Sequence, residues 1–266
     1  MPQVTSQDGT PIAYSIRGSG PLVVLTTGSL DDGSENTPLA IELSQWFRVV
    51  NYARRGRGES GDGPIYSVAR ELEDIAALID ASGGNAMIYG VSTGGALALE
   101  AAATLRSISA VAVYEVPYDL APETPQQQRD YITELDKRLS AGRRGDAVAL
   151  FMELAGSSAE EIAGARTLPV WENLERIAHT LAYDANVLGT RQPPLERFAH
   201  LDQPVLVATG GGIPPFEAAA NALAEAIPNA RRSVLSEQGH IVDPTVMAKE
   251  LKAFFDNATS PAPSRP

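Results

Sequence analysis

No cysteine occurs in the 266 residues of this chain. Disulfides, a thiolate nucleophile, Cys-ligated zinc and iron–sulfur clusters are excluded with it. Histidine is nearly as scarce. His179, His200 and His240 supply every imidazole, and no two of them have the helical or loop spacing of a metal-ligand pair. Positive charge is also short: 21 Lys and Arg stand against 33 Asp and Glu, a net charge of −12. That balance argues against nucleic acid and against anionic membrane surfaces as partners. No apolar run approaches membrane-spanning length, and the segment Met1 to Gly9 lacks the apolar core of a secretory signal. A cytoplasmic location is the resulting expectation. What is present in ordinary measure is apolar residue, 44% of the chain, enough for a substantial core.

The apolar residues alternate between two periods. Ile12 to Arg17 reads as a strand, followed by the turn cluster Gly18-Ser19-Gly20-Pro21 and the continuous apolar run Leu22 to Leu25. These two runs predict an N-terminal hairpin. Leu39 to Trp46 reads as a helix and Phe47 to Tyr52 as a buried strand. Ser67 to Ala81 carries a helical apolar stripe at 68, 69, 72, 75, 76, 78 and 79. A strand at Ala86 to Tyr89, a helix from Ala96 to Leu105 and a strand at Ala110 to Glu115 follow. Strands alternating with helices predict a parallel, doubly wound sheet. From Tyr118 to Pro194 the strands stop, and helices are predicted over Gln126 to Leu139, Asp146 to Ala155, Ala159 to Ala165 and Val170 to Leu188. The α/β rhythm returns with strands at Val205 to Thr209 and Arg232 to Leu235 and helices at Pro215 to Ala226 and Pro244 to Phe255. The expected organisation is therefore a core of residues 1–117 and 195–256, a helical cap inserted over 118–194, and a disordered proline-rich tail over 257–266.

The sharpest local signal is Gly90-Val91-Ser92-Thr93-Gly94, placed between a strand and a helix. A strand-to-helix turn this tight strains its apex residue and crowds the chain on both sides, which the flanking glycines relieve. It lifts the Ser92 hydroxyl above the sheet edge and sets the Thr93 amide at a helix N-terminus. A serine hydroxyl needs a base to act as a nucleophile. His240, in Glu237-Gln238-Gly239-His240 after the last predicted strand, lies at the edge of the sheet where Ser92 lies, whereas His179 falls within a helical stretch and His200 precedes a strand. The imidazole in turn needs a carboxylate to fix its tautomer. The loop after Val205 to Thr209 reads Gly210-Gly211-Gly212-Ile213-Pro214-Pro215-Phe216 and holds no acid. The candidates are Glu115, at the end of the strand after the serine's helix, and Glu217, just inside the next helix.

Acyl transfer also requires donors for a tetrahedral oxyanion. Thr93 offers one amide, and the second is expected from Thr26-Thr27-Gly28-Ser29, at Ser29 or Gly28. Arg54-Arg55-Gly56-Arg57-Gly58 reads as a turn whose arginines pair with nearby acids rather than as a phosphate site. Gly210 to Gly212 is not followed by the Gly-Lys-Ser/Thr of a P-loop, and no dinucleotide fingerprint is present. Trp171 and Tyr131 read either as packing residues of the insert or as walls of a pocket.

These motifs, in this order, resemble the α/β-hydrolase superfamily over about residues 3 to 256. Gly90 to Gly94 resembles its nucleophile elbow, Arg55-Gly56-Arg57-Gly58-Glu59-Ser60 its arginine–glycine turn, and Gln238-Gly239-His240 its histidine loop. The resemblance implies an α/β-hydrolase fold, with a mostly parallel central sheet, helices on both faces and an inserted helical cap. It also implies a cofactor-independent serine hydrolase without a metal, acting on an ester or lactone of a small, largely apolar molecule. Carbon–carbon bond hydrolysis, haloperoxidase-like chemistry, natural-product cyclisation and non-catalytic ligand binding are hosted by the same fold. Two positions depart from the family pattern: Thr27-Gly28 stands where His-Gly is common, and the usual aspartate after the penultimate core strand is absent. Zearalenone-type lactonases take the acid from the strand after the nucleophile helix. Their Glu-Leu-Pro is similar to Glu115-Val116-Pro117, and their Pro-Val-Trp, with a tryptophan at the substrate, is similar to Pro169-Val170-Trp171. That likeness favours Glu115 as the acid and Trp171 at the substrate.

Overall fold

The computed structural model describes residues 1–259. Its centre is an eight-stranded sheet in the order β1-β2-β4-β3-β5-β6-β7-β8. The strands are β1 (Gln3–Thr5), β2 (Pro11–Arg17), β3 (Leu22–Thr26), β4 (Arg48–Tyr52), β5 (Ala86–Val91), β6 (Ile108–Tyr114), β7 (Val205–Thr209) and β8 (Ala230–Val234). From β4 to β8 every neighbouring pair is parallel; β1 and β2 are antiparallel additions at one edge. The expected hairpin is corrected here. β2 pairs with β1 and β4, and β4 separates it from β3. The turn between β2 and β3 crosses close over the entry to β4: a Cβ on Gly18, at φ +71°, would sit 2.3 Å from the Phe47 carbonyl oxygen. Glycine makes that crossing possible, and β3 is delivered beyond β4 instead of beside β2.

Strands buried on both faces need apolar residues at every position, and β3 and β7 are buried throughout. Their alternate side chains feed two cores. Val24, Val50, Ile88 and Val113 pack with α2 (Val68–Ser82), α3 (Thr93–Thr104) and α10 (Pro214–Ala226). Val23, Leu25, Val49, Met87 and Leu206 pack with α1 (Thr37–Leu43) and α11 (Pro244–Thr259). α3 is buried from Thr93 to Ala102, which explains its composition of glycine, alanine and leucine with no polar stripe.

Between β6 and β7 lie α4 (Thr124–Ser140), α5 (Arg144–Leu154), α6 (Ala159–Ala165), α7 (Trp171–Ile177), α8 (Leu181–Leu188) and the short α9 (Leu195–Phe198). α4 to α8 share a small core of their own, around Leu135, Val148, Trp171 and Leu181. The single helix expected over Val170 to Leu188 is two helices joined by a 3₁₀ turn at Ala178–Thr180. The Thr180 hydroxyl donates to the Ile177 carbonyl at 2.7 Å, a local bond that competes with helical continuation. α11 runs to Thr259, so residues 257–259 are helical rather than part of the expected tail. The rest of that tail, 260–266, lies outside the described residues. Among the described residues no helix is long and apolar enough to cross a membrane.

Candidate active site

Ser92 sits between β5 and α3 with φ +55° and ψ −130°, a conformation L-residues rarely adopt. The crowding that enforces it is measurable. A Cβ on Gly90 would lie 2.2 Å from the Gly94 carbonyl oxygen, and one on Gly94 would lie 2.5 Å from the Thr27 carbonyl oxygen. The turn is pinned on its other side by the Ser92 N–H, which donates to the Tyr114 carbonyl at 2.9 Å. Thr93 follows as the first residue of α3, where the helix dipole is positive.

One strand over, Glu115 directly follows β6 with φ +47°. Its side chain is 2% exposed, and both oxygens are engaged. Oε2 meets His240 Nδ1 at 2.7 Å, and Oε1 accepts the Gly210 N–H at 3.0 Å. The glycine loop after β7 therefore supplies a donor to the carboxylate where the family pattern has a carboxylate of its own. Only glycine fits there, because a Cβ on Gly210 would lie 2.1 Å from the Gln238 carbonyl oxygen. Tyr114 fastens the histidine loop further by donating from its hydroxyl to the Gly239 carbonyl at 2.7 Å. Glu217 is elsewhere, paired with Arg232 at 2.6 Å. With Nδ1 on the carboxylate, Nε2 lies on the far edge of the ring. Ser92 and His240 line one cavity of about 690 Å³, with no hydrogen bond between them among the described residues.

Gly28 and Ser29 form the wall beside the serine. A Cβ on Gly28 would lie 3.1 Å from the Ser92 Cβ, and the Ser29 and Thr93 hydroxyls are 3.2 Å apart. This loop is held from behind by the arginine turn after β4. Arg57 donates to the Gly28 carbonyl and Arg54 to the Thr27 carbonyl. The peptide is trans, so a Gly28 carbonyl drawn toward Arg57 turns the Ser29 N–H to the opposite side.

The three arginines are buried, and each has an acidic partner. Arg55 pairs with Asp74 and Asp8, and Arg54 pairs with Glu71 through two bonds of 2.6 Å. Arg54 and Arg57 share Asp184 Oδ1, each at 2.7 Å. Asp184 belongs to α8 of the insert, so one buried carboxylate joins the insert to the loop beneath the serine. Burial alone would raise its pKa, but the guanidiniums of Arg57 and Arg54 outweigh that and hold it below the usual carboxylate range. The arginine pairing follows the sequence reading; the choice of Asp184, 130 residues from Arg54, had no local signal.

Trp171 is a correction. It is not part of the cavity wall. It packs inside the insert, with its indole N–H on Glu175 Oε1 at 2.9 Å and the Arg166 guanidinium over its ring. Tyr131 does line the cavity. His179 contacts Asp62 at 3.2 Å and His200 is exposed, both away from the cavity lining.

A mostly parallel sheet with a serine at a strained β5–α3 turn and a histidine–glutamate pair at the same edge defines an α/β hydrolase. A model of the alpha/beta hydrolase family matches residues 23–253, and the chain belongs to that family. An α/β hydrolase from Sphaerobacter thermophilus is 46% identical with a TM-score of 0.88, covering 96% of this chain and all of that one. A 2-(acetamidomethylene)succinate hydrolase from Mesorhizobium japonicum is 28% identical over 258 residues, 90% of each chain. The enol-lactonase from Burkholderia xenovorans shares the fold, at 24% identity and a TM-score of 0.71, over 96% of this chain and all of that one.

Proposed function

We propose that the protein is a cofactor-independent serine hydrolase that cleaves carboxylic esters or lactones of small molecules through an acyl-enzyme, and that it works in the cytoplasm. Ser92 attacks the carbonyl carbon while His240 Nε2 takes its proton. The developing oxyanion is met by the amides of Thr93 and Ser29, with Gly28 the alternative second donor. Collapse of the tetrahedral intermediate breaks the ester C–O bond, and His240 returns the proton to the departing alkoxide. Water then attacks the acyl-Ser92 with His240 as base, releasing the acid and restoring the serine. Glu115 holds the ring in the tautomer with Nδ1 protonated and stabilises the imidazolium. The inserted helices act as a cap that shapes the substrate cavity.

The observation that carries this reading is the Glu115–His240 contact of 2.7 Å in the cavity that Ser92 also lines. Catalysis requires His240 to close on Ser92, and such bonds are often long in a free enzyme. The test is a fluorophosphonate probe together with p-nitrophenyl esters. The wild type is expected to be labelled at Ser92 and to turn over the esters, and Ser92→Ala to do neither while keeping its circular dichroism spectrum. A wild type left unlabelled would mean a ligand-binding relic, and undiminished turnover by Ser92→Ala would remove the serine from the mechanism.

A further inference from the structure

The buried stripe of α4 is Thr124, Gln128, Tyr131 and Leu135, a spacing that turns one face of the helix inward. Leucine is the natural occupant of such a position, and Gln128 departs from it within the helix, as Thr124 does at its first residue. It is 2% exposed, and neither its Oε1 nor its Nε2 has a hydrogen-bond partner among the described residues. An amide left in this state is destabilising, because each of its groups has lost water and gained no partner. Gln128 also lines the cavity that holds Ser92 and His240. On the core side of that cavity a second carboxamide, Asn36, is buried with its Nδ2 unpartnered. A polar side chain kept dry at a lining position is matched when a ligand supplies the missing partners.

The chemistry of the amide narrows the ligand group. Oε1 only accepts and Nε2 only donates. A substrate carboxylate would set its oxygens against Oε1, and an ammonium would set its hydrogens against Nε2. A neutral group that both donates and accepts satisfies both atoms at once. Two charged groups of the lining have ion partners, Asp184 through Oδ1 with Arg54 and Arg57 and Arg191 through Nη2 with Asp119 at 3.5 Å, while Glu35 lies on the core side next to Asn36. Resting on the hydrolase reading above, we propose that Gln128 is a specificity-determining residue. It receives a neutral hydroxyl or primary amide on the part of the substrate held beneath α4.

The experiment compares kcat/KM for p-nitrophenyl hexanoate, 6-hydroxyhexanoate and 5-carbamoylpentanoate, with a second series carrying the same three end groups on the alcohol side. The wild type is expected to favour the hydroxyl or amide ester by about tenfold or more in one series, because a desolvated polar site rejects the analogue that leaves it unpaired. Gln128→Met is expected to bring that ratio near one and to raise Tm, because an unpaired buried amide is replaced by an apolar chain of similar length. Gln128→Leu carries the same ratio should the methionine variant not fold. A ratio that survives substitution overturns the proposal, as does a fall in Tm, which marks the amide as already satisfied within the folded protein. If the wild type hydrolyses no ester, the hydrolase reading has failed by itself. Gln128 is then read by thermal shift with hexanamide and 1-hexanol against hexanoate. Stabilisation by the neutral ligands that Gln128→Met abolishes supports the subsite, and equal shifts in both proteins refute it.

Discussion

Asp184→Asn removes one negative charge from the junction between insert and core while keeping its shape. Arg54 loses little, because Glu71 still binds it through two hydrogen bonds of 2.6 Å. Among the described residues Arg57 has no second carboxylate within ion-pair distance. Its side chain is 0% exposed, and its remaining contacts are the carbonyls of Gly28 and Asp31. The substitution therefore strands one buried cation, not two. Breaking a buried pair in this way costs about 3–5 kcal/mol, which in a chain of this size lowers Tm by roughly 6–20 °C. Urea unfolding and differential scanning calorimetry measure the loss. Asp146→Asn is the control: its pair with Arg166 at 2.9 Å is 39% exposed on both sides, and an exposed pair is worth about 0–1 kcal/mol. Arg57→Met closes a double-mutant cycle. In the Asp184→Asn background it should cost less than in the wild type, because it removes the cation that has lost its partner. A strictly additive cycle, or a loss from Asp184→Asn no larger than the control's, would refute the argument that this charge is buried and shared.

Other expectations follow from the same geometry. Glu115→Gln should lower kcat on an activated ester by about 10⁴-fold through loss of tautomer control, while Glu217→Gln, whose partner is Arg232, leaves kcat unchanged; equal effects would move the acid role. Asp184 and Glu71 both have lowered pKa values in the folded protein, burial being outweighed by Arg57 and Arg54 for the first and by Arg54 for the second. Their contribution is complete above the unfolded carboxylate pKa of about 4 and disappears as pH falls through the lower folded values, so wild-type Tm should fall in acid more steeply than that of Asp184→Asn, as a pH series of melts would record. Trp171→Phe should lower Tm through the lost Glu175 bond without moving KM, since the indole faces the insert's own core.

How far the sequence could be read depended on the range of the forces involved. The serine turn was legible because its constraints are local: glycines two residues either side of Ser92 relieve clashes that a strand entering a helix always makes. Glu115 was legible because a carboxylate closing an apolar strand needs a partner. Its choice over Glu217 needed the Gly210 loop, whose donor N–H and tight approach to Gln238 are tertiary facts. The order of β2, β4 and β3 was missed because a glycine turn can close a hairpin or carry the chain across a neighbour, and only packing against Ser44 and Phe47 decides. Trp171 misled because a three-residue likeness does not fix which way an indole points, and here Glu175, one turn along α7, takes its N–H. Asp184 left no trace at all. Nothing in Leu181-Ala182-Tyr183-Asp184-Ala185 announces that its carboxylate will meet two guanidiniums from the first quarter of the chain.

The Asp184 junction also limits how the cavity can open. A roof that swung away at α8 would have to drag an anion out from between two dehydrated cations and release the carbonyls those cations steady under Ser92. That end of the roof is riveted down.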